Sequence, residues 1–158
     1  MMQAQMLAPA AVLIAWSLVM LFWIAFTRFP AMAKLSRQRK AEGDSTRMAA
    51  AGGRGQDLDG IIPNRAVWPS HNYTHLMEQP TIFYPAVVIL AIMGAGALDV
   101  LAAWIYVGFR IVHSIWQATV NTIPVRLVLF FIATGALIVL TVRAVLATLF
   151  HDPSIVTG

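Results

Sequence analysis

The chain contains no cysteine. That absence excludes disulfides, zinc–thiolate centres and a cysteine nucleophile. Charge is nearly as scarce, since Asp, Glu, Lys and Arg together supply 11% of the 158 residues. A soluble domain carries about 25%, so most of this chain lacks a water-seeking surface. What fills the gap is apolar: hydrophobic residues make up 59% of the sequence and the mean hydropathy is +0.72. The composition is that of a single-domain integral membrane protein. The scarce charges lean positive, to a net +4. Nucleic acid is not the implied partner, because most of the excess sits in one hydrophilic loop beside apolar segments. There it sets topology and meets membrane lipid headgroups.

Four apolar segments are long enough to cross a hydrocarbon core of about 30 Å at about 1.5 Å per residue. They predict an all-α, up-and-down four-helix bundle with helices at about 6–28, 72–93, 98–119 and 124–150. The opening, MMQAQMLAPA, has no basic n-region, so the first segment reads as a retained span rather than a cleaved signal. The loop of about 29–70 carries Lys34, Arg37, Arg39, Lys40, Arg47, Arg54 and Arg65 against Glu42, Asp44, Asp57 and Asp59. This excess places it in the cytoplasm and both termini in the periplasm, as for a bacterial inner-membrane protein. Its first part, AMAKLSRQRKAEG, continues the first helix out of the membrane, and MAAAGGRGQDLDG reads as flexible linker. Pro80 and Pro85 predict a kink in the second span. The stretch GAGAL, 94–98, reads as a tight turn, and no internal repeat is evident.

The polar chemistry within the spans gathers in YVGFRIVHSIWQATVNTIPVR, residues 106–126. Tyr106, Arg110, His113 and Gln117 recur at i, i+4, i+7 and i+11 and form one stripe of a helix. Arg126 follows Pro124 in the first turn of the last span. In the second span His71, His75 and Glu78 share a face by the same spacing. Brought together, these residues give a pocket with a carboxylate, two arginines, imidazoles and a phenol, in which Glu78 is the expected partner of Arg110. Such a pocket suits a small zwitterion with carboxylates and an amine. A guanidinium near a bound thiol favours the thiolate, the reactive nucleophile. Apolar walls suit a lipophilic small molecule dissolved in the bilayer.

Each residue also has a plainer reading. A buried Glu78–Arg110 pair can serve only to fix helix register. Arg126 can reach back to the headgroups, and Arg143, near the other interface, is expected to do so. His71 and His75 can be solvated interfacial groups. A metal site is not expected, because His71, His75, Glu78 and His113 match no strong ligand signature and the arginines disfavour a cation. The tryptophans fit interfacial belts or bundle packing, and Gly94, Gly96 and Gly108 fit turns and close packing. No broken-helix pair points to a transporter.

With a large first loop, a glutamate early in helix two, R-x-x-H at Arg110–His113 and P-x-R at Pro124–Arg126, the sequence resembles the MAPEG family. These are the membrane-associated proteins in eicosanoid and glutathione metabolism, among them microsomal glutathione transferases and prostaglandin E synthase. The similarity runs from about Arg65 to Val145 and is strongest in FRIVHSIWQATVNTIPVR. It implies a homotrimer with glutathione, as co-substrate, bound between subunits. The family's R-A-x-x-N-x-x-E pattern places its glutamate on Glu78, its asparagine on His75 and its arginine on His71. Arg110 matches the family arginine of helix three, His113 a position that holds His or Tyr, and Gln117 a position usually held by tyrosine. Arg126 matches the arginine implicated in thiol activation, followed here by Leu127 rather than serine.

The resemblance therefore implies a transferase or peroxidase acting on lipophilic electrophiles at the cytoplasmic face. Arg126 is the expected catalytic residue. Glu78 and Arg110 anchor glutathione, and His71, His75, Tyr106, His113 and Gln117 complete its site. The replacements at 71, 75 and 117 leave open a non-catalytic scaffold, a lipid-binding protein or an accessory subunit of a membrane complex on the same fold.

Overall fold

A computed structural model describes residues 2–43 and 55–150. Its elements are α1 (Met2–Ala41), a single 3-10 turn (Gly55–Leu58), α2 (Asn64–Glu78), α3 (Pro80–Met93), α4 (Ala97–Thr119) and α5 (Ile123–Leu149). No strand occurs among the described residues. α2 and α3 together form one span, so four segments are long and apolar enough to cross a membrane. The protein is an integral membrane four-helix bundle.

The first two spans run past their apolar segments for physical reasons. α1 passes through Pro30 and continues to Ala41, so most of AMAKLSRQRKAEG extends the first helix, as expected. α2 begins at Asn64, well before the apolar run, because the polar segment NRAVWPSHNYTH is still helical. It buries Ala66, Val67, Pro69, Asn72 and Leu76. The polar connection is accordingly narrowed to residues 42–63. The first seven residues of the linker sequence MAAAGGRGQDLDG, 48–54, lie outside the described residues, and the rest forms the 3-10 turn and the turn after it. The span breaks at Gln79, immediately before Pro80, whose ring nitrogen cannot donate within a continuous helix.

α3 ends on Gly94, at φ +92°, a left-handed cap that glycine adopts without a Cβ penalty. α4 starts after Gly96, whose amide donates to Asp99 Oδ2 at 2.8 Å. The Asp99 carboxylate is 1% exposed and also accepts two bonds from the Arg143 guanidinium, through Nε and Nη2. This corrects the expectation that Arg143 reaches for headgroups. Its partner on α4 ties the 94–96 turn to α5, and a carboxylate within the first turn of α4 also complements the helix dipole.

Each helix packs against two or more others, and the α4–α5 hairpin makes the most extensive contact. The core is almost wholly apolar, with Met6, Leu13 and Met20 from α1, Phe83, Val87 and Leu90 from α3, and Leu137 and Leu140 from α5. Ala133, Ala136 and Ala144 let α5 approach its neighbours closely. Outward faces carry Phe22, Phe26, Ile92, Phe131 and Leu149, as a lipid-facing surface requires.

Candidate functional site

α4 is the exception to the apolar interior. Its buried face reads Asp99, Ala102, Ala103, Tyr106, Val107, Arg110, His113, Ser114, Gln117 and Ala118, a spacing near 3.5 residues. The stripe of Tyr106, Arg110, His113 and Gln117 therefore lies inside the bundle, with exposures of 0, 1, 2 and 4%. Polar groups at such depth require partners.

Arg110 finds its partners on α2. Its Nη2 donates to the His75 carbonyl at 2.8 Å, and its Nη1 lies 3.3 Å from His75 Nδ1. A guanidinium only donates, so Nδ1 accepts and the neutral ring carries its proton on Nε2. The His75 ring stacks on His113, with centroids 5.1 Å apart, and meets Phe130 edge-on at 5.4 Å. Tyr106 stacks on Phe83 at 4.3 Å. Next to the histidines, Asn72 donates to Ser114 Oγ at 2.5 Å, and both residues are fully buried.

The expected Glu78–Arg110 ion pair is not formed. Glu78 is the last residue of α2 and is exposed, while Arg110 uses its donors on His75 one turn earlier. His71 is drawn away from the stripe, with Nε2 2.8 Å from Asp59 Oδ2 in the loop. Arg126 is half-buried at the start of α5, and its Nη1 donates to Asn121 Oδ1 at 2.8 Å. Asn121 has φ +58°, a conformation that asparagine tolerates better than most residues. It both turns the chain between α4 and α5 and holds the guanidinium.

His75, Arg110 and His113 are thus in one cluster, Tyr106 and Gln117 extend it along α4, and Arg126 stands at its loop end. His71 is diverted and Glu78 is on the rim. Four atoms of the set are buried without a hydrogen-bond partner among the described residues: Tyr106 Oη, Arg110 Nε, Gln117 Oε1 and Arg126 Nε. Together they offer a phenol, two guanidinium N–H groups and an amide oxygen.

The Asn72–Ser114 bond was hidden from sequence reasoning. Its one signal is that Ser114 lies at i+4 from Arg110, on the same face. Replacing Asn72 by Leu strands the Ser114 hydroxyl, and the expected loss is about 1 kcal/mol. A double-mutant cycle with Ser114→Ala, read by unfolding in detergent, should show the two residues to be coupled. Strict additivity would refute the bond's contribution.

Fold and site define a four-span membrane protein with a buried, charged and partly unsatisfied polar cluster at the loop end of its bundle. The sequence pattern of the MAPEG family matches residues 6–146, nearly the whole chain. The chain belongs to the MAPEG family. Comparison with curated proteins gives no match, and comparison with solved structures gives none.

Proposed function

We propose that the protein binds glutathione, or a closely related thiol, at the Arg110 pocket and transfers it to lipophilic electrophiles, or uses it to reduce them, at the cytoplasmic face. The observation that carries this reading is the row of unpartnered buried polar atoms from Tyr106 to Arg126. Buried polar groups of this kind cost about 1 to 3 kcal/mol each unless something satisfies them. An anionic, amine-bearing peptide offers acceptors to the two guanidinium groups and a donor to Gln117. Glu78, on the rim, is placed for the ligand's amine.

His75 supplies through Nε2–H a neutral donor where the family pattern has the amide of asparagine. Arg126 lowers the cost of thiolate by placing fixed positive charge near the sulfur. The thiolate sulfur then forms a bond to the electrophilic carbon, and the displaced group or the protonated adduct leaves through the apolar wall. In keeping with the family, the working unit is a homotrimer, whose neighbouring subunit closes the pocket beside Glu78 and Arg126.

Adding glutathione to the purified protein should produce the ultraviolet difference absorption of a thiolate, and Arg126→Ala should lack it. No thiolate signal in the native protein would rule out activation at this site. A second reading rests on His71, which the Asp59 contact removes from the pocket. With that replacement for the family arginine absent, a scaffold or accessory subunit that binds lipid without catalysis becomes the competing assignment. Copurification with a stoichiometric partner or lipid, combined with no thiol binding, would support it.

A further inference from the structure

The span made by α2 and α3 breaks immediately after Glu78, and α5 grips it at the break. Pro80 brings no N–H to the Leu76 carbonyl, so the backbone ladder is interrupted at the end of α2. Gln79, the residue at the break, reaches across to α5 instead. Its Nε2 donates to Thr134 Oγ1 at 2.9 Å. The Thr134 hydroxyl has a single hydrogen and donates it to the Phe130 carbonyl at 2.8 Å, so the direction of both bonds is fixed. One turn earlier on each helix, the Phe130 ring meets the His75 ring edge-on at 5.4 Å. Two rungs therefore join α2 to α5, His75 to Phe130 and Gln79 to Thr134, each pair of rung positions spaced i, i+4.

The same stripe of α5 carries Arg126, four residues before Phe130. Arg126 thus stands one turn from the His75 rung and two turns from the Gln79 rung. On α2 the residue next to Gln79 is Glu78. The bond between Gln79 and Thr134 is more than packing requires. Gln79 Oε1 is buried without a partner among the described residues. An apolar pair would press the two helices together without stranding that oxygen, but it would lack a hydrogen bond's direction.

We propose that Gln79 and Thr134 are positioning residues: their bond sets the distance between Glu78, at the end of α2, and Arg126, at the start of α5. This rests on the thiol-binding reading, in which Glu78 takes the ligand's amine and Arg126 faces its sulfur. Both residues act through Glu78. Arg126 is held separately by Asn121, so cutting the tie displaces the amine anchor and leaves the thiolate site intact. Affinity falls, while activation of the bound thiol does not.

The test is a double-mutant cycle on Gln79→Leu and Thr134→Val in the full chain, with three readouts. These are the Kd of glutathione by calorimetry, the thiolate absorption at saturating glutathione, and Tm in detergent. Each single variant should raise Kd about fivefold, the equivalent of one neutral hydrogen bond. The double variant should be no worse than either single, because both remove the same bond. Thr134→Ser, which keeps the hydroxyl, should stay within about twofold of the native protein. Thiolate absorption should be unchanged throughout. Coupling in Tm without coupling in Kd would reduce the bond to a structural tie and overturn the proposal. Additive losses in Kd, or a thiolate signal lost at saturation, would overturn it as well. Native binding matched by every variant would remove the positioning role and leave the thiol reading standing. No binding to the native protein would remove both.

Discussion

Replacing Arg126 by Ala should lower thiol transfer to a lipophilic electrophile by about 10² to 10³ in kcat, with no change in oligomeric state. The guanidinium sits at the first turn of α5 rather than deep in the core, so the fold does not depend on it. Its geometry does depend on Asn121, which accepts from Nη1 while occupying the left-handed turn. This allows the turn and the clamp to be separated. Asn121→Gly keeps the backbone conformation but releases the guanidinium, and should lose part of the rate without loss of stability. Arg126→Lys retains charge but loses the planar fork, and should fall between the native protein and Arg126→Ala. Unchanged turnover in Arg126→Ala would remove this residue from the mechanism.

Arg110 should show the opposite balance, with stability and ligand affinity failing together. It is 1% exposed and binds both the carbonyl and the ring of His75, so it joins α4 to α2 as well as facing the site. Arg110→Ala leaves the His75 carbonyl and Nδ1 without their donor. Hydrogen bonds from a charged donor are worth about 1.5 to 3 kcal/mol, and a loss of that order should appear in detergent unfolding. The freed His75 can then change tautomer, and its Nε2–H donor is no longer assured. Arg110→Lys should not rescue the protein, because one ammonium on a flexible stem does not reproduce two directed contacts. The reading is a raised KM for the thiol together with a lowered Tm. Full rescue by Lys would show that only charge matters at this position and would contradict the paired geometry.

The four spans were legible because each is a long apolar run, and apolar length is what a bilayer demands. The stripe on α4 was legible for a related reason: a polar residue every three or four positions is conspicuous in an apolar helix. Partner choice was less so. Charge complementarity pointed Arg110 at Glu78, yet the nearer acceptor is the backbone carbonyl of His75, which no side-chain pattern reveals. His71 was placed in the pocket by helical spacing, but Asp59 lies close enough to take it.

The Asp99–Arg143 pair was missed although a signal existed. In an antiparallel hairpin, residues equidistant from the turn meet, and Asp99 and Arg143 each lie 22 residues from Asn121. The early start of α2 was obscured because its first turns are polar and its buried face is small. Hydropathy marks the part of a helix inside lipid and is silent about the part that projects beyond it.

The most direct test of the central claim is calorimetric titration of glutathione into the detergent-purified protein, repeated on Glu78→Ala and Arg110→Ala. The account predicts saturable binding in the native protein and its loss in both variants, with Glu78→Ala still folded because its carboxylate is exposed at the end of α2. Absence of binding to the native protein at millimolar thiol would contradict the account and leave the four-helix fold to the scaffold or lipid-binding reading.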